Sequence, residues 1–380
     1  MKTSAVVGLG FGDEGKGLAT SYLCSKHERS LVVRFQGGHQ AGHTVVWNGL
    51  HHIFSNFGSG TLQGVPTYWS RFCTINPSAI LRELEVLKNK GIERPRLYVD
   101  PLCPVVTPFD ILYNQDQETS NSHGSVGVGF GTTIERNEKH YHLYVKDLFY
   151  ENVFIAKLDN IINYYKNLMH VKWDVARESF IESIKIFRKI YAVEIVSLKS
   201  ILERFDFESI IFEGAQGILL DMDYGFFPNV TRSNCTIKNA VQLIKEQDLP
   251  ALDVYYVTRA YQTRHGNGYM SDNTPLKLKN NKEETNVSNE WQGDFRTGLL
   301  DMELLNYAVA CDSIFERKSN NLIVTCLDQL TDGFKIITEG GNRKVVDILP
   351  DILYNCLSIP IESSIFSRSP DSDKYMEEVS

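Results

Sequence analysis

Six short apolar runs rich in β-branched residues recur along the chain: SAVVGLG (4–10), SLVVRF (30–35), RLYVD (96–100), SIIFEG (209–214), DVYYVTRAY (253–261) and NLIVTCLD (321–328). Each is continuous rather than alternating, as in strands covered on both faces, and helical patterns lie between them. Strands separated by helices need crossover connections, so the pattern predicts an α/β protein with a large, mostly parallel central sheet flanked by helices. GKGLATSYLCSK reads as the helix that follows the first glycine turn. NPSAILRELEVLKNKG has Asn76 as cap, Pro77 in the first turn, Gly91 as stop, and Ile80, Leu84 and Leu87 on one face. In ESFIESIKIFRKIY, Phe180, Ile181, Ile184, Phe187 and Tyr191 form a second core-facing stripe. The polar stretches 114–131 and 271–295 read as long loops.

No Pro/Gly/Ser linker divides the 380 residues, so one elaborated domain over 1–380 is expected. A net charge of −8 gives no general attraction to nucleic acid or an anionic membrane, so any phosphate site has to be a local concentration of donors. Seven widely spaced cysteines without a C-x-x-C pair predict reduced thiols and a cytoplasmic protein. No apolar run approaches the roughly 20 residues that span a bilayer, and the N-terminus shows no signal-peptide cleavage pattern.

Three stretches carry chemistry. In GLGFGDEGKG (8–17) the glycine spacing alone fits a tight turn as readily as a phosphate loop, and the four-residue gap of a Walker A loop is missing. Two acids stand where an anion would bind. That arrangement suits a site in which Asp13 holds a metal ion or takes a proton, while backbone N–H groups and Lys16 bind phosphate. RFQGGHQAGHTVV (34–46) places His39 and His43 four apart among glycines, a spacing open to substrate contact, metal ligation or a structural loop. FEGAQGILLDMDYGFFPNVTRSN (212–234) carries Gln216 and Thr231, neutral hydrogen-bonding groups suited to a nucleobase or phosphate; a structural loop explains it equally well in isolation.

Together, in this order and at these separations, the three stretches closely resemble the adenylosuccinate synthetase family. Weaker echoes, INPSAILRELEVL, VKDLF, VTRAYQTRHGNG, TGLLDMELLNYAV and VTCLDQLTDG, extend the resemblance over residues 4 to 334, with SRSPDS near the end. It implies a P-loop-NTPase-like adenylosuccinate synthetase fold. It also implies a homodimeric ligase that uses Mg2+ and GTP to join L-aspartate to a 6-oxopurine nucleotide, IMP, through a 6-phosphoryl intermediate. By resemblance Asp13 is the catalytic base and a magnesium ligand, and His43 the acid. Gly12, Glu14, Gly15, Lys16, Gly17, Gly42 and Thr44 cradle the triphosphate, with the Gly42 carbonyl on the metal, while Asp328 and Ser367 read its base. Gln40, Ser125, Val126, His140, Gln216 and Thr231 hold the acceptor nucleotide, and Arg264 and Arg296 the amino acid.

The chain departs from the family pattern at several of these positions. Gln40 stands for an asparagine, Val126 for a threonine, Cys326 for a lysine, and Lys139 or His140 for an arginine that reaches across the dimer. The amino-acid loop, EWQGDFRTGLLD (290–301), keeps Arg296 from several arginines and adds Glu290 and Asp294. Two further readings follow from these changes: a phage-type synthetase acting on dGMP with ATP or GTP, and a nucleotide-binding regulator that has lost the aspartate site. Retention of Asp13 counts against the first. Asp328 favours GTP over ATP, because a carboxylate accepts both the N1–H and 2-amino protons of guanine.

Overall fold

In the computed structural model, which describes residues 1–121, 124–169, 173–279, 293–338, 344–372 and 376–379, the first apolar run becomes the strand Lys2–Gly8 in the middle of a ten-stranded sheet. Across that sheet the strands run Met376–Val379, Ser363–Ser367, Ser319–Thr325, Asp253–Arg259, Lys2–Gly8, Ser209–Gly217, Ser30–Arg34, Thr67–Trp69, Leu97–Val99 and Val193–Ile195. All neighbours are parallel except Met376–Val379, which runs antiparallel along Ser363–Ser367. Alternate residues of the central strands feed cores on opposite faces. Val7, Val33, Ile210 and Phe212 belong to one cluster, and Val6, Val32, Ile211 and Val257 to another. Burial on both faces is why these strands read as continuous apolar runs.

The helix Pro77–Asn89 begins as its sequence predicts. Asn76 caps it, its side chain accepting from the Ala79 N–H at 3.2 Å, and Gly91 has φ 84° just past its end. Two expectations are corrected. Tyr191 is not core: the helix Trp173–Phe187 ends four residues before it, and Tyr191 is 64% exposed, whereas Phe180, Ile184 and Phe187 are buried. The first part of the stretch 114–131 is not loop but the end of the helix Pro108–Asn121, whose Gln, Glu and Asn residues contain no glycine or proline to stop it. The other long polar stretch shows no helix in residues 271–279, and Glu290 lies outside the described residues.

Parallel strands put the following loops at one end of the sheet, where ligands of open α/β sheets bind. The loop after Lys2–Gly8 therefore meets the segments that follow Ser30–Arg34, Ser209–Gly217, Asp253–Arg259 and Ser319–Thr325. No helix among the described residues is long and apolar enough to cross a membrane.

Candidate active site

The chain leaves the first strand at Gly8 and re-enters helix at Lys16–Cys24. Gly12, Asp13 and Gly15 have φ of 97°, 60° and 94°, so the loop reverses through left-handed backbone. Inside it the Glu14 carboxylate folds back on its own turn. Oε1 accepts the N–H groups of Gly10 and Gly12 at 3.0 and 2.8 Å, and Oε2 takes the Lys16 ammonium. Glu14 and Lys16 are both 3% exposed, and a buried charge needs such a complete set of partners. A Cβ on Gly8 or Gly217 would lie 2.4 or 2.2 Å from a Glu14 carboxylate oxygen, which accounts for glycine at both positions. Arg259 Nε donates to the Asp13 carbonyl and the Thr325 hydroxyl to that of Glu14, fixing the loop from outside. Of the two acids, Glu14 shapes the loop and Asp13 is presented by it.

Asp13 Oδ2 lies 2.9 Å from His265 Nε2. Burial would raise the Asp13 pKa, but the hydrogen bond and charge of His265, with Arg259 and Lys16 beyond, outweigh it and hold the carboxyl below its ordinary value. Asp13 is therefore ionised at neutral pH. His265, absent from the reading of the sequence, is the partner that keeps it so.

His43 opens the strand His43–Trp47 and packs against the start of the helix Lys16–Cys24, where a Cβ on Gly17 would come within 2.8 Å of its own. Its Nδ1 is 2.6 Å from Oε1 of the wholly buried Glu213, which also accepts from the Ser59 N–H at 3.2 Å and from the Ser59 hydroxyl. Burial, aided by Arg34 and Lys16, lowers the His43 pKa despite the opposing pull of Glu213. Burial would raise Glu213, but His43, Arg34 and Ser59 outweigh it and keep it low. The pair is thus a carboxylate and a neutral imidazole: Nδ1–H donates to Glu213, and Nε2 is buried with no partner among the described residues.

More unpartnered atoms lie close by. Both amide atoms of Gln40, Oε1 of Gln216 and Oγ1 of Thr74 are buried without hydrogen bonds among the described residues. They converge on two glycines. A Cβ on Gly37 would lie 2.7 Å from Gln216 Oε1, and one on Gly38 would lie 2.4 Å from Thr74 Oγ1 and 2.9 Å from Gln40 Oε1. Buried polar groups are nearly always paired, so this concentration marks a place for a polar ligand. Thr74 was not legible beforehand, since a threonine before a helix cap reads as ordinary turn chemistry.

The helix Phe130–Glu138 starts after Gly129 with no side-chain cap, and a Cβ on Gly131 would lie 3.7 Å from Arg232 Cδ, which brings the Thr231 segment to that helix start. Ser125 and Val126 lie in the turn before it, where Ser125 Oγ accepts from Asn114 at 2.8 Å. An uncapped helix start beside Ser and Thr suits a phosphate. His140 is exposed beyond the other end of this helix, its ring 5.9 Å from that of His142.

On the hairpin of Gln262–His265 and Phe295–Gly298, Arg264 and Arg296 are directly opposite each other. Arg264 donates to the carbonyls of Tyr269 and Asn229 at 2.7 and 2.8 Å, and Arg296 to Asn273 Oδ1 and the Gly268 carbonyl at 3.1 and 3.0 Å. Nε of each is buried without a partner among the described residues. Burial and the facing charge of Arg296 push Arg264 down to about 10. Two guanidinium groups set opposite one another with neutral partners are a site for an anion. Asp328, on the short turn Leu327–Gln329, follows the strand Ser319–Thr325, and Ser367 ends the adjacent parallel strand, so both lie at one end of the sheet. Asp328 Oδ2 accepts from Gln329 at 2.6 Å and the Ser367 hydroxyl donates to Ser369 O at 2.8 Å.

The two histidines spaced for metal ligation part company. His39 faces Asn76 at 3.5 Å, and burial together with Arg82 pushes it down to about 4. No group of three or more His, Cys, Asp or Glu side chains among the described residues forms a metal cage. Magnesium bound with nucleotide phosphates needs only one or two carboxylates, and the presented Asp13 with the exposed Gly42 backbone fits that requirement.

The adenylosuccinate synthetase family model matches residues 5–340. The chain belongs to that family. Adenylosuccinate synthetase of Nitrosococcus oceani is 33% identical over 350 residues, covering 88% of this chain and 78% of that protein. That of Bordetella avium is 32% identical over 370 residues, covering 93% and 83%. The fold is shared with the fully ligated adenylosuccinate synthetase of Plasmodium falciparum, at TM-score 0.77 and 20% identity over 99% of both chains. It is also shared with the succinoaminodeoxyadenylate synthetase of cyanophage S-2L bound to dGMP and dATP, at TM-score 0.63 and 16% identity over 99% of this chain and 95% of that one.

Two outcomes follow for this adenylosuccinate synthetase relative. Gly217→Ala should cost about 1–3 kcal/mol in urea unfolding, as overpacking against the Gly10 carbonyl, 2.1 Å from the added Cβ, and the Glu14 carboxylate behind it; an unchanged midpoint would mean that the loop does not pack against Gly217. Glu213→Gln should slow turnover by about tenfold or more, because the amide leaves His43 without its anionic partner. Since Glu213 is held below its ordinary 4.5, the stability it contributes is complete above that pH and is lost as pH falls through the depressed value. The variant should therefore lose stability less steeply in acid, and a parallel acid-unfolding curve would contradict the assignment.

Proposed function

We infer that the protein is a carbon–nitrogen ligase that joins L-aspartate to C6 of IMP at the expense of GTP, yielding an N6-succinyl purine nucleotide, GDP and phosphate. The observation that carries this reading is geometric: the glycine-rich loop presents the Asp13 carboxylate, 2.9 Å from His265, while His43, held through Nδ1 by Glu213 at 2.6 Å, keeps a buried Nε2 with no partner among the described residues.

The chemistry explains why an acid stands in a phosphate loop. The 6-oxygen of hypoxanthine is a poor leaving group, so an amine does not displace it directly. Asp13 takes the N1 proton, which makes the oxygen nucleophilic toward the γ-phosphorus. As charge grows on the transferred phosphoryl, His43 takes up a proton from solvent and donates its Nε2–H to that group, and Glu213 stabilises the imidazolium from the far side. The aspartate amine then forms the bond to C6 as the C6–O bond breaks, and phosphate leaves with that oxygen and the amine's surplus proton. Gln40, Gln216 and Thr231 hold the acceptor nucleotide, and Arg264 with Arg296 the two donor carboxylates, whose charge their neutral partners leave unmatched. Asp328 and Ser367 read the guanine. Mg2+, held by Asp13 and the Gly42 carbonyl, supplies neutralisation of the triphosphate charge. The exposed position of His140 suits a second copy of the chain, so we take the working form as a homodimer and its place as the cytoplasm.

Incubating the protein with GTP, Mg2+, aspartate and either IMP or dGMP, and weighing the products, tests the reading. The N6-succinyl product of IMP is expected, and Asp13→Asn should abolish it while leaving the fold intact. Product from dGMP alone would move the protein to the phage-type reaction, and no product from either would leave only nucleotide binding.

A further inference from the structure

Among the described residues, the side chain that hydrogen-bonds the Asp13 carboxylate is that of His265. The backbone of Asp13 is already immobile: it is left-handed at φ 60°, its carbonyl is held by Arg259, and the next residue is locked into the loop by Gly10, Gly12 and Lys16. What remains is rotation of the side chain, and the 2.9 Å contact of Nε2 with Oδ2 removes it. The imidazole itself is held. Its side chain is 13% exposed, it lies on a hairpin strand directly opposite Phe295, and the two rings are 4.9 Å apart.

We propose that His265 is a positioning residue for the catalytic base: its Nε2–H binds one Asp13 oxygen and leaves the other aimed at the proton to be removed. The same hairpin carries Arg264 and Arg296, so the register that seats the donor clamp also seats the base. This inference rests on the function proposed above, in which Asp13 acts in the phosphoryl-transfer step before any amino acid reacts.

That order gives the test. Positional isotope exchange in 18O-labelled GTP, with Mg2+ and IMP and without aspartate, reports the first step alone, and steady-state turnover reports the whole. His265→Leu should slow exchange and kcat together by about tenfold or more, the usual scale for losing an orienting partner. The KM values for GTP, IMP and aspartate should change by less than about twofold, since no binding contact is lost. His265→Gln, whose amide N–H reaches Asp13, should restore most of the rate, and His265→Asn, which is too short, should not. Unchanged or faster exchange in both His265→Leu and His265→Asn would overturn the proposal, as would a loss confined to turnover with aspartate. Wild-type protein that neither exchanges nor forms product would instead refute the function itself.

Discussion

The site is built around a carboxylate that turns back into its own loop. Glu14 is buried inside the turn that it terminates, and its charge is met by two backbone N–H groups and Lys16. An incompletely paired charge in that position would cost several kcal/mol, so the turn admits little variation. It excludes side chains at Gly8 and Gly217 and is accompanied by left-handed backbone at Gly12, Asp13 and Gly15. The residue preceding Glu14 is thereby projected outward, toward His265. Negative charge in a glycine-rich phosphate loop is thus resolved into two tasks, one acid building the loop and the other working from it.

The second proton-handling pair is built by sheet register rather than by a loop. Arg34 and Glu213 are neighbours on adjacent parallel strands, and Glu213 reaches across to the histidine that opens the strand His43–Trp47. Because the carboxylate is wholly buried and the imidazole nearly so, their hydrogen bond fixes both the tautomer and the direction of the free Nε2. Asp13–His265 and His43–Glu213 therefore have the same design, a titratable group oriented by a partner on a strand distant in sequence.

Much of this was legible in the chain, and the parts that were not share a cause. The central strands announced themselves because burial on both faces demands unbroken apolar runs, and the motifs at their ends are local in sequence. The inner strand Thr67–Trp69 and the edge strand Val193–Ile195 are three residues each, too short to carry a pattern. Tyr191 followed a helical stripe past the point where the helix stops. His265 stood beside Arg264 in a quoted motif, yet only the placement of the hairpin against the loop shows that it meets Asp13. Glu213 did offer a signal: a carboxylate in the middle of an apolar strand has to be paired. Its partner is 170 residues away, and no spacing rule points there.

In the proposed reaction the 6-oxygen of the acceptor becomes an oxygen of the released phosphate, with Asp13 making it a nucleophile and His43 helping it to leave. IMP carrying 18O at position 6, turned over with unlabelled GTP and aspartate, tests it directly by mass analysis of the inorganic phosphate. One 18O in each phosphate is the predicted result. Phosphate containing only oxygen from GTP and solvent would contradict the account.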